Sequence, residues 1–522
     1  MKIKKAISIV ILLVVIFSGC VERKTFTSQN RNYIVYNVEK LPKDLFKLSD
    51  MDISQEDIIL SIFEGLVSTD LEGKIVPGLA DSFSLSQDKL TYTFHLRDNI
   101  KWSDGSEITN RDFINFFSEI LKEDQDSGKL LTCIFGVSDY LEDKINFDGV
   151  AIRAKDNKII EMRLNYPCDY FLNILSQPSF FIRKDLNSLK NWKDEFKNIK
   201  YSGAYIIDNI YPNGEISLKK NINYWDEKNV FTDKIHISSD ETSAFSLAKY
   251  NSNEIDITSN LPNKELVQLQ EKEKLIKDTT LKGYSINFNL KKNKFLNNIN
   301  FRKAIAMSIE KNLLEKELNG IITKSSWYVP ENTQGTEPRG SYLDANKIGD
   351  TLEKLLSSSG YKGEELKLLY KSSDINDLIV DFIAKDLKKS NINLYVEGVN
   401  EENYQLNLKN SNYDLVLSEY LGKYDNSLSF LEEWLSTSDS NLYGYTNSEF
   451  EKNILKGKVA KSLKEGENYF ITAEKILIND MPFITLGLYN RIIAVKPYIN
   501  GIKINKKGNV LLKNVYLEKS IY

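Results

Sequence analysis

Residues 367–396 read KLLYKSSDINDLIVDFIAKDLKKSNINLYV. The runs Lys367–Tyr370 and Asn393–Val396 have the length and character of strands, and Asp377–Lys389 between them is patterned as an amphipathic helix. A further short strand reads at Asp414–Leu417. Strands alternating with helices specify an α/β architecture.

The same reading extends toward the N-terminus. From Leu90 to Arg97, Leu90, Tyr92, Phe94 and Leu96 alternate with Thr91, Thr93, His95 and Arg97, the period-two signature of a half-buried strand. His95 falls on the polar face, where a structural hydrogen bond is the expected role. Asp104-Gly105 marks a turn. Thr109 stands three residues before Asp112, an acidic variant of the capping box, and opens a helix that buries Phe113, Phe116, Phe117, Ile120 and Leu121. A second helix is expected to start after Asn300, to bury Phe301, Ala304, Ile305 and Ile309, and to stop at Gly320.

The 522 residues suggest three or four domains. Sixty-nine basic against 73 acidic residues leave a net charge of −4, so a phosphate-gripping groove and a nucleic-acid partner are not expected. Two histidines, His95 and His236, leave little scope for a His-built metal site or a His general base. No G-x-S-x-G, H-E-x-x-H, P-loop, G-x-G-x-x-G or C-x-x-C motif is present, which points to binding rather than turnover and to no cofactor. A carboxylate-pair surface hydrolase is the alternative from another class, but no acidic pair stands out. Aromatics are in surplus, 28 Tyr and 25 Phe. Tyr420, Tyr424 and Trp434 lie in a segment too polar to be core throughout, the kind of stretch a ligand cleft uses, or else a loop folded over the core.

Lys2, Lys4 and Lys5 precede an apolar run, Ala6 to Phe17, that is too short to span a bilayer. Together they fit a secretory signal. The segment ends Phe17-Ser18-Gly19-Cys20, small residues before a cysteine, as in a bacterial lipobox. Residues 1–20 are therefore expected to be a lipoprotein signal peptide, Cys20 the lipid attachment point, and 21–29 a polar tether. That places the protein outside the cytoplasm, on the outer face of the cell membrane. Cys133 and Cys168 remain, either paired or as two buried thiols.

Seven short segments in order resemble the bacterial extracellular solute-binding proteins of family 5, the oligopeptide- and dipeptide-binding components of ABC importers. They are Ile62-Phe63-Glu64-Gly65-Leu66 with Pro77-Gly78-Leu79-Ala80, Tyr92 to Arg97 with Lys101 to Gly105, Ser202-Gly203-Ala204-Tyr205, Asn223-Tyr224-Trp225-Asp226, Asn253-Glu254-Ile255-Asp256, Phe301-Arg302-Lys303-Ala304-Ile305, and Tyr413-Asp414-Leu415. The resemblance runs from about Tyr33 to the C-terminus. It implies a two-lobed fold of the periplasmic-binding-protein type II class with an extra domain inserted in the first lobe. Carried over, lobe I comprises 30–73, 197–287 and 489–522, the insert 74–196, and lobe II 288–488. It further implies a monomer that closes on a peptide or other small solute and delivers it to membrane permease subunits.

The resemblance places ligand contacts at Met51, Ile53, Ser418, Glu419, Tyr420, Lys423 and Asp425. Here the chain departs from its relatives. Lys423 aligns where oligopeptide binders place an Asp for the ligand's α-ammonium, Leu417 where some carry an Arg for its carboxylate, and Met51 where an acid is found. A lysine there repels an ammonium and attracts a carboxylate. Asp425, two places on, could substitute if the loop shifts. The alternatives are therefore an N-blocked or acidic peptide, a non-peptide solute, or a peptide-signal receptor role.

Overall fold

The computed structural model describes residues 31–518 except 49–50, 241, 273, 293–294, 332, 335, 337–350 and 461. The signal peptide, Cys20 and the tether lie outside the described residues.

In chain order the strands are β1 (Ile34–Val38), β2 (Val67–Thr69), β3 (Ile75–Pro77), β4 (Ala80–Leu85), β5 (Thr91–Leu96), β6 (Ile152–Lys155), β7 (Ile159–Arg163), β8 (Tyr205–Ile210), β9 (Ile216–Lys220), β10 (Lys234–Ser239), β11 (Ile257–Thr258), β12 (Lys274–Phe288), β13 (Ile322–Lys324), β14 (Leu366–Lys371), β15 (Leu394–Val399), β16 (Leu415–Leu421), β17 (Phe483–Val495), β18 (Ile499–Asn500) and β19 (Tyr516–Leu517). One mixed sheet runs β15-β14-β16-β12-β17-β11-β1-β10-β9-β8, with β13 also paired to β17. Its parallel pairs are β14 with β15 and β16, and β1 with β10 and β11. Parallel strands need crossovers that bring helices onto the sheet. The helix Asp374–Lys389 is one, burying Ile379, Val380, Ile383 and Leu387. This is the α/β class, two-lobed and of the type II kind, that the sequence indicated.

A separate antiparallel sheet, β4-β5-β7-β6, is built from residues 80–163. Tyr92, Phe94 and Leu96 of β5 are buried and His95 is exposed, as the alternation requires. The helix Asn110–Glu123 carries the full capping box: Thr109 accepts from the Asp112 N–H and the Asp112 carboxylate accepts from the Thr109 N–H. The expected helix up to Gly320 is instead two, Ile299–Ser308 and Lys311–Glu317. The Asp386 carboxylate takes the Glu310 N–H at 3.0 Å, so that donor never joins a continuous helix. Gly320 does adopt a left-handed conformation, φ +77°, just past the second helix.

The two halves of the large sheet are joined by β12 and β17, of 15 and 13 residues. They are antiparallel along their length, but the register breaks between Thr279 and Gly283 and again between Tyr284 and Ser285. Such breaks bend a strand and increase its local twist. One core cluster lies under β14, β16 and the helix Asp374–Lys389; the largest gathers the first part of the chain with the rings around Tyr420 and Trp434. Cys133 and Cys168 are buried free thiols in mutual contact, with no disulfide between them.

Candidate ligand cleft at the strand crossing

The unbroken β12–β16 register, running from Phe288 opposite Leu415, sets Lys282 opposite Leu421 at the end of β16. Lys282 pairs with Glu419 at 2.5 Å, and Asn376 Nδ2 donates to the same carboxylate at 2.9 Å. Burial disfavours the Glu419 carboxylate, but Lys282 and Lys371 outweigh it and bring its pKa to about 2. Burial likewise works against the Lys282 ammonium, yet Tyr284, Glu419 and Tyr489 hold it firmly protonated. The ammonium also lies over the Tyr284 and Tyr489 rings, 5.4 and 5.0 Å from their centroids. Glu39, at the end of β1, is within electrostatic reach of this pair; burial and then Asp52 push its pKa up. The crossing is thus a cluster of charged and phenolic groups shared between the two halves of the sheet.

Side chains alternate along β16, so its neighbours face apart. Glu419 lies on the face of Tyr284 and the helix Asp374–Lys389. Ser418 is buried on the other, accepting from Asn287 Nδ2 at 3.1 Å and hydrogen-bonding the Tyr443 hydroxyl at 3.1 Å. Tyr420 shares that face. Its ring is 6% exposed, stacks on Tyr328 at 4.1 Å and lies against the Gly283 backbone. Trp434, 2% exposed, packs on Phe483 at 4.8 Å and Tyr443 at 5.3 Å. These rings form the support beneath the cleft segment rather than an open aromatic wall.

After β16 the chain turns through Gly422–Ser427. Lys423 is exposed, and among the described residues its side chain has no ion pair within 4 Å. Asp425 is engaged: it accepts the Gln334 N–H at 2.9 Å and faces Lys506 Nζ at 3.3 Å, while its carbonyl accepts from Asn173 at 3.3 Å. Tyr424 stacks on Tyr170 at 5.4 Å with 11° between the planes. A cavity of about 40 Å³ remains here, lined among others by Asn173, Gln177, Leu281, Asp425, Lys506 and Lys507. Met51 is half-buried against the core, next to the N-cap Asp52. Ile53 packs on the Gly508 loop, its carbonyl accepting from Asn509. The structure therefore brings Ser418 to Asp425 together in one segment and sets Met51 and Ile53 at the start of the helix Ile53–Ile62.

Four residues here escaped the sequence reading: Glu39, Lys282, Glu433 and Lys506. Glu433, on the turn Glu432–Trp434, is pushed up to about 7 by burial, with Lys423 opposing and Glu432 adding to the rise. None of the four stands out locally. A larger cavity, about 300 Å³, lies apart from the crossing between Phe63, Glu64, Phe181, Trp225 and Leu512; its buried carboxylate, Glu64, is held by the Trp225 indole at 2.7 Å. Among the described residues no group of three or more His, Cys, Asp or Glu is placed to hold a metal, and no helix is long and apolar enough to cross a membrane.

Comparison with known proteins gives a consistent picture. A sequence model described as bacterial extracellular solute-binding proteins, family 5 Middle, matches residues 74–441. The chain is 26% identical over 510 residues to the periplasmic murein peptide-binding protein MppA of Escherichia coli, covering 93% of each chain. It is 27% identical over 489 residues to the periplasmic oligopeptide-binding protein OppA of Salmonella typhimurium, covering 90% of this chain and 89% of that one. The solved structure of the E. coli murein tripeptide binding protein MppA superposes with a TM-score of 0.82 at 24% identity, covering 93% and 98% of the two chains, a likeness of fold.

Proposed function

The chain belongs to the bacterial extracellular solute-binding proteins of family 5, and from that premise we propose that it captures peptides in a cleft between two lobes and hands them to the permease of an ABC importer. The observation that carries the reading is the crossing of β12 and β17, where Lys282, Glu419 and Glu39 meet. A two-lobed binder closes about such a crossing and buries its ligand against it. Lobe I (30–73, 197–287, 489–522), the insert (74–196) and lobe II (288–488) are the bodies that move. Ligand contacts come from Met51, Ile53, Ser418, Glu419, Tyr420, Lys423 and Asp425. Peptide backbone hydrogen bonds supply affinity in the manner of strand addition.

Lipidation at Cys20 would hold the protein on the outer face of the membrane, where two or more acyl chains give stable retention. It would act as a monomer beside the permease. Its role is to bind and release; the named relatives are binding proteins, and no turnover is assigned.

The exposed, unpaired Lys423 favours a second reading within the same fold, a ligand that is acidic, N-blocked or not a peptide, in import or in signal reception. Native mass spectrometry of the purified chain, with identification of whatever is released on denaturation, separates the two. Peptides with free amino termini support the first reading. An N-blocked or non-peptide species supports the second. Lys423→Asp must then change the ligand preference; an unchanged preference removes Lys423 from the site.

A further inference from the structure

We propose that the cavity around Glu64, Tyr224 and Leu512 is a second ligand site, separate from the cleft, that takes a small organic cation, an amine with an aromatic or apolar body. The cavity measures about 300 Å³, enough for a small molecule, and none of the residues assigned to the peptide lines it. Leu60 and Thr69 line both this cavity and the small one beside Asp425, so they form the wall between the two.

Glu64 stands just past the helix Ile53–Ile62 and is 7% exposed. The donors to its carboxylate are neutral: the Trp225 indole N–H at 2.7 Å and the Tyr224 hydroxyl. Among the described residues no ammonium or guanidinium forms an ion pair with it within 4 Å. Lys513 and Arg97 act on it from farther off, and each is held elsewhere. Lys513 faces Asp226 at 3.8 Å. Arg97 Nε donates to the Gly78 carbonyl at 2.7 Å, and its guanidinium lies 3.6 Å from the centre of the Trp225 ring. A carboxylate has about four acceptor positions, and burying it without a close counter-ion is costly. Burial accordingly pushes the Glu64 carboxyl up. A ligand ammonium supplies the missing charged donor. Phe63, Phe181, Tyr224 and Trp225 line the walls, and aromatic rings favour both a cation and an apolar body. Asp70 and Glu72, from the connection between β2 and β3, add negative charge to the lining, against which Lys513 is its one cation. An anion is repelled by that balance, and a neutral solute leaves Glu64 without a counter-charge.

Titration calorimetry of the full chain with phenethylamine, 2-phenylethanol and 3-phenylpropionate tests this. The amine should bind at least about tenfold tighter than the alcohol, which keeps the ring and loses the charge, and the carboxylate should bind weakest. Glu64→Gln should bring amine and alcohol to within about twofold of each other. Ser68→Trp, which sets a large ring in the lining and leaves Glu64 in place, should weaken the amine at least about tenfold. Lys423→Met, in the cleft segment, should leave the amine's affinity unchanged. Thermal unfolding of each variant establishes that it is folded, and Ser68→Trp decides if Glu64→Gln is not. No binding of the amine, an alcohol bound as tightly, or an affinity that follows Lys423 rather than Ser68 overturns the second site. None of these outcomes bears on peptide capture in the cleft.

Discussion

At the scale of single residues, the most consequential interaction joins β17 to the helix Ile53–Ile62. Arg491 meets Asp57 at 2.7 and 3.3 Å, the Tyr36 hydroxyl donates to the same carboxylate at 2.5 Å, and the Val510 N–H donates to it at 2.8 Å. Both charges are buried, so removing one leaves the other unpaired. Arg491→Met should lower unfolding stability by about 3–5 kcal/mol, read by denaturant titration. Asp57→Leu added to Arg491→Met should recover most of that loss, because no orphan charge remains. Glu433 gives a prediction of opposite sign. Its pKa is raised from the ordinary 4.5 to about 7, so the folded state holds its proton more tightly than the unfolded chain. The penalty for ionising it is absent below pH 4.5, grows up to about pH 7 and is constant above. At about 1.4 kcal/mol per pH unit its upper limit is about 3 kcal/mol. Stability of Glu433→Gln relative to the parent should therefore rise between pH 4.5 and 7; a difference independent of pH refutes the assignment. Neither group was legible in the sequence. Asp57 and Arg491 are 434 residues apart, and Glu433 differs from Glu432 only in what the fold places around it.

Elements were more legible than residues, because their signals are local. The alternation at Leu90–Arg97 and the Thr109–Asp112 capping box each fit within one strand or one turn, and both appear as read. Thr109→Ala should cost about 1 kcal/mol in the same denaturant assay. The strands near Lys367, Asn393 and Asp414 also appear, extended to Leu366–Lys371, Leu394–Val399 and Leu415–Leu421. Local reading failed at Ile309–Glu310, where a helical pattern is cut by Asp386, a residue 76 positions away. For the Tyr420–Trp434 aromatics it left a cleft lining and a loop folded over the core both open, and tertiary packing buries Tyr420, Tyr424 and Trp434 against other rings. Gly283 is the element-scale counterpart. A Cβ there would lie 2.2 Å from the Tyr420 ring, so a side chain must displace either that ring or β12. Gly283→Ala should destabilise by about 1–3 kcal/mol. Tyr420→Ala in the same chain should remove most of that increment, the coupling expected of two groups competing for one space. Additive losses would place the strain elsewhere.

At the scale of the whole molecule, the proposed closure would act on contacts between segments distant in the chain. Tyr170 and Asn173, from the antiparallel-sheet region, meet Tyr424 and Asp425, and Lys506 from the C-terminal segment meets the Asp425 carboxylate. None of these contacts needs a ligand. A ligand shifts a two-state equilibrium by no more than its differential affinity, so if closure keeps these contacts they set the point from which it starts. The exposed pair Lys129–Asp439, 2.9 Å, is another ion pair between distant segments, but both side chains are more than half in solvent, so it should contribute little. Lys506 and Asp425 are better shielded, at 35% and 15% side-chain exposure, and their loss should weaken closure by about 1 kcal/mol, a factor of about five in the closed-to-open ratio. Hydrogen exchange read by mass spectrometry resolves this directly in peptides covering residues 422–431 and 505–510. Without ligand, Lys506→Ala should exchange about fivefold faster there, and Tyr170→Ala, which removes the stacked ring, at least as fast. Lys129→Ala should leave these segments unchanged. Saturating ligand should return all three variants to the parent's protection, because its own contacts then dominate. Exchange in Lys506→Ala and Tyr170→Ala indistinguishable from the parent without ligand would show that closure depends on the ligand alone.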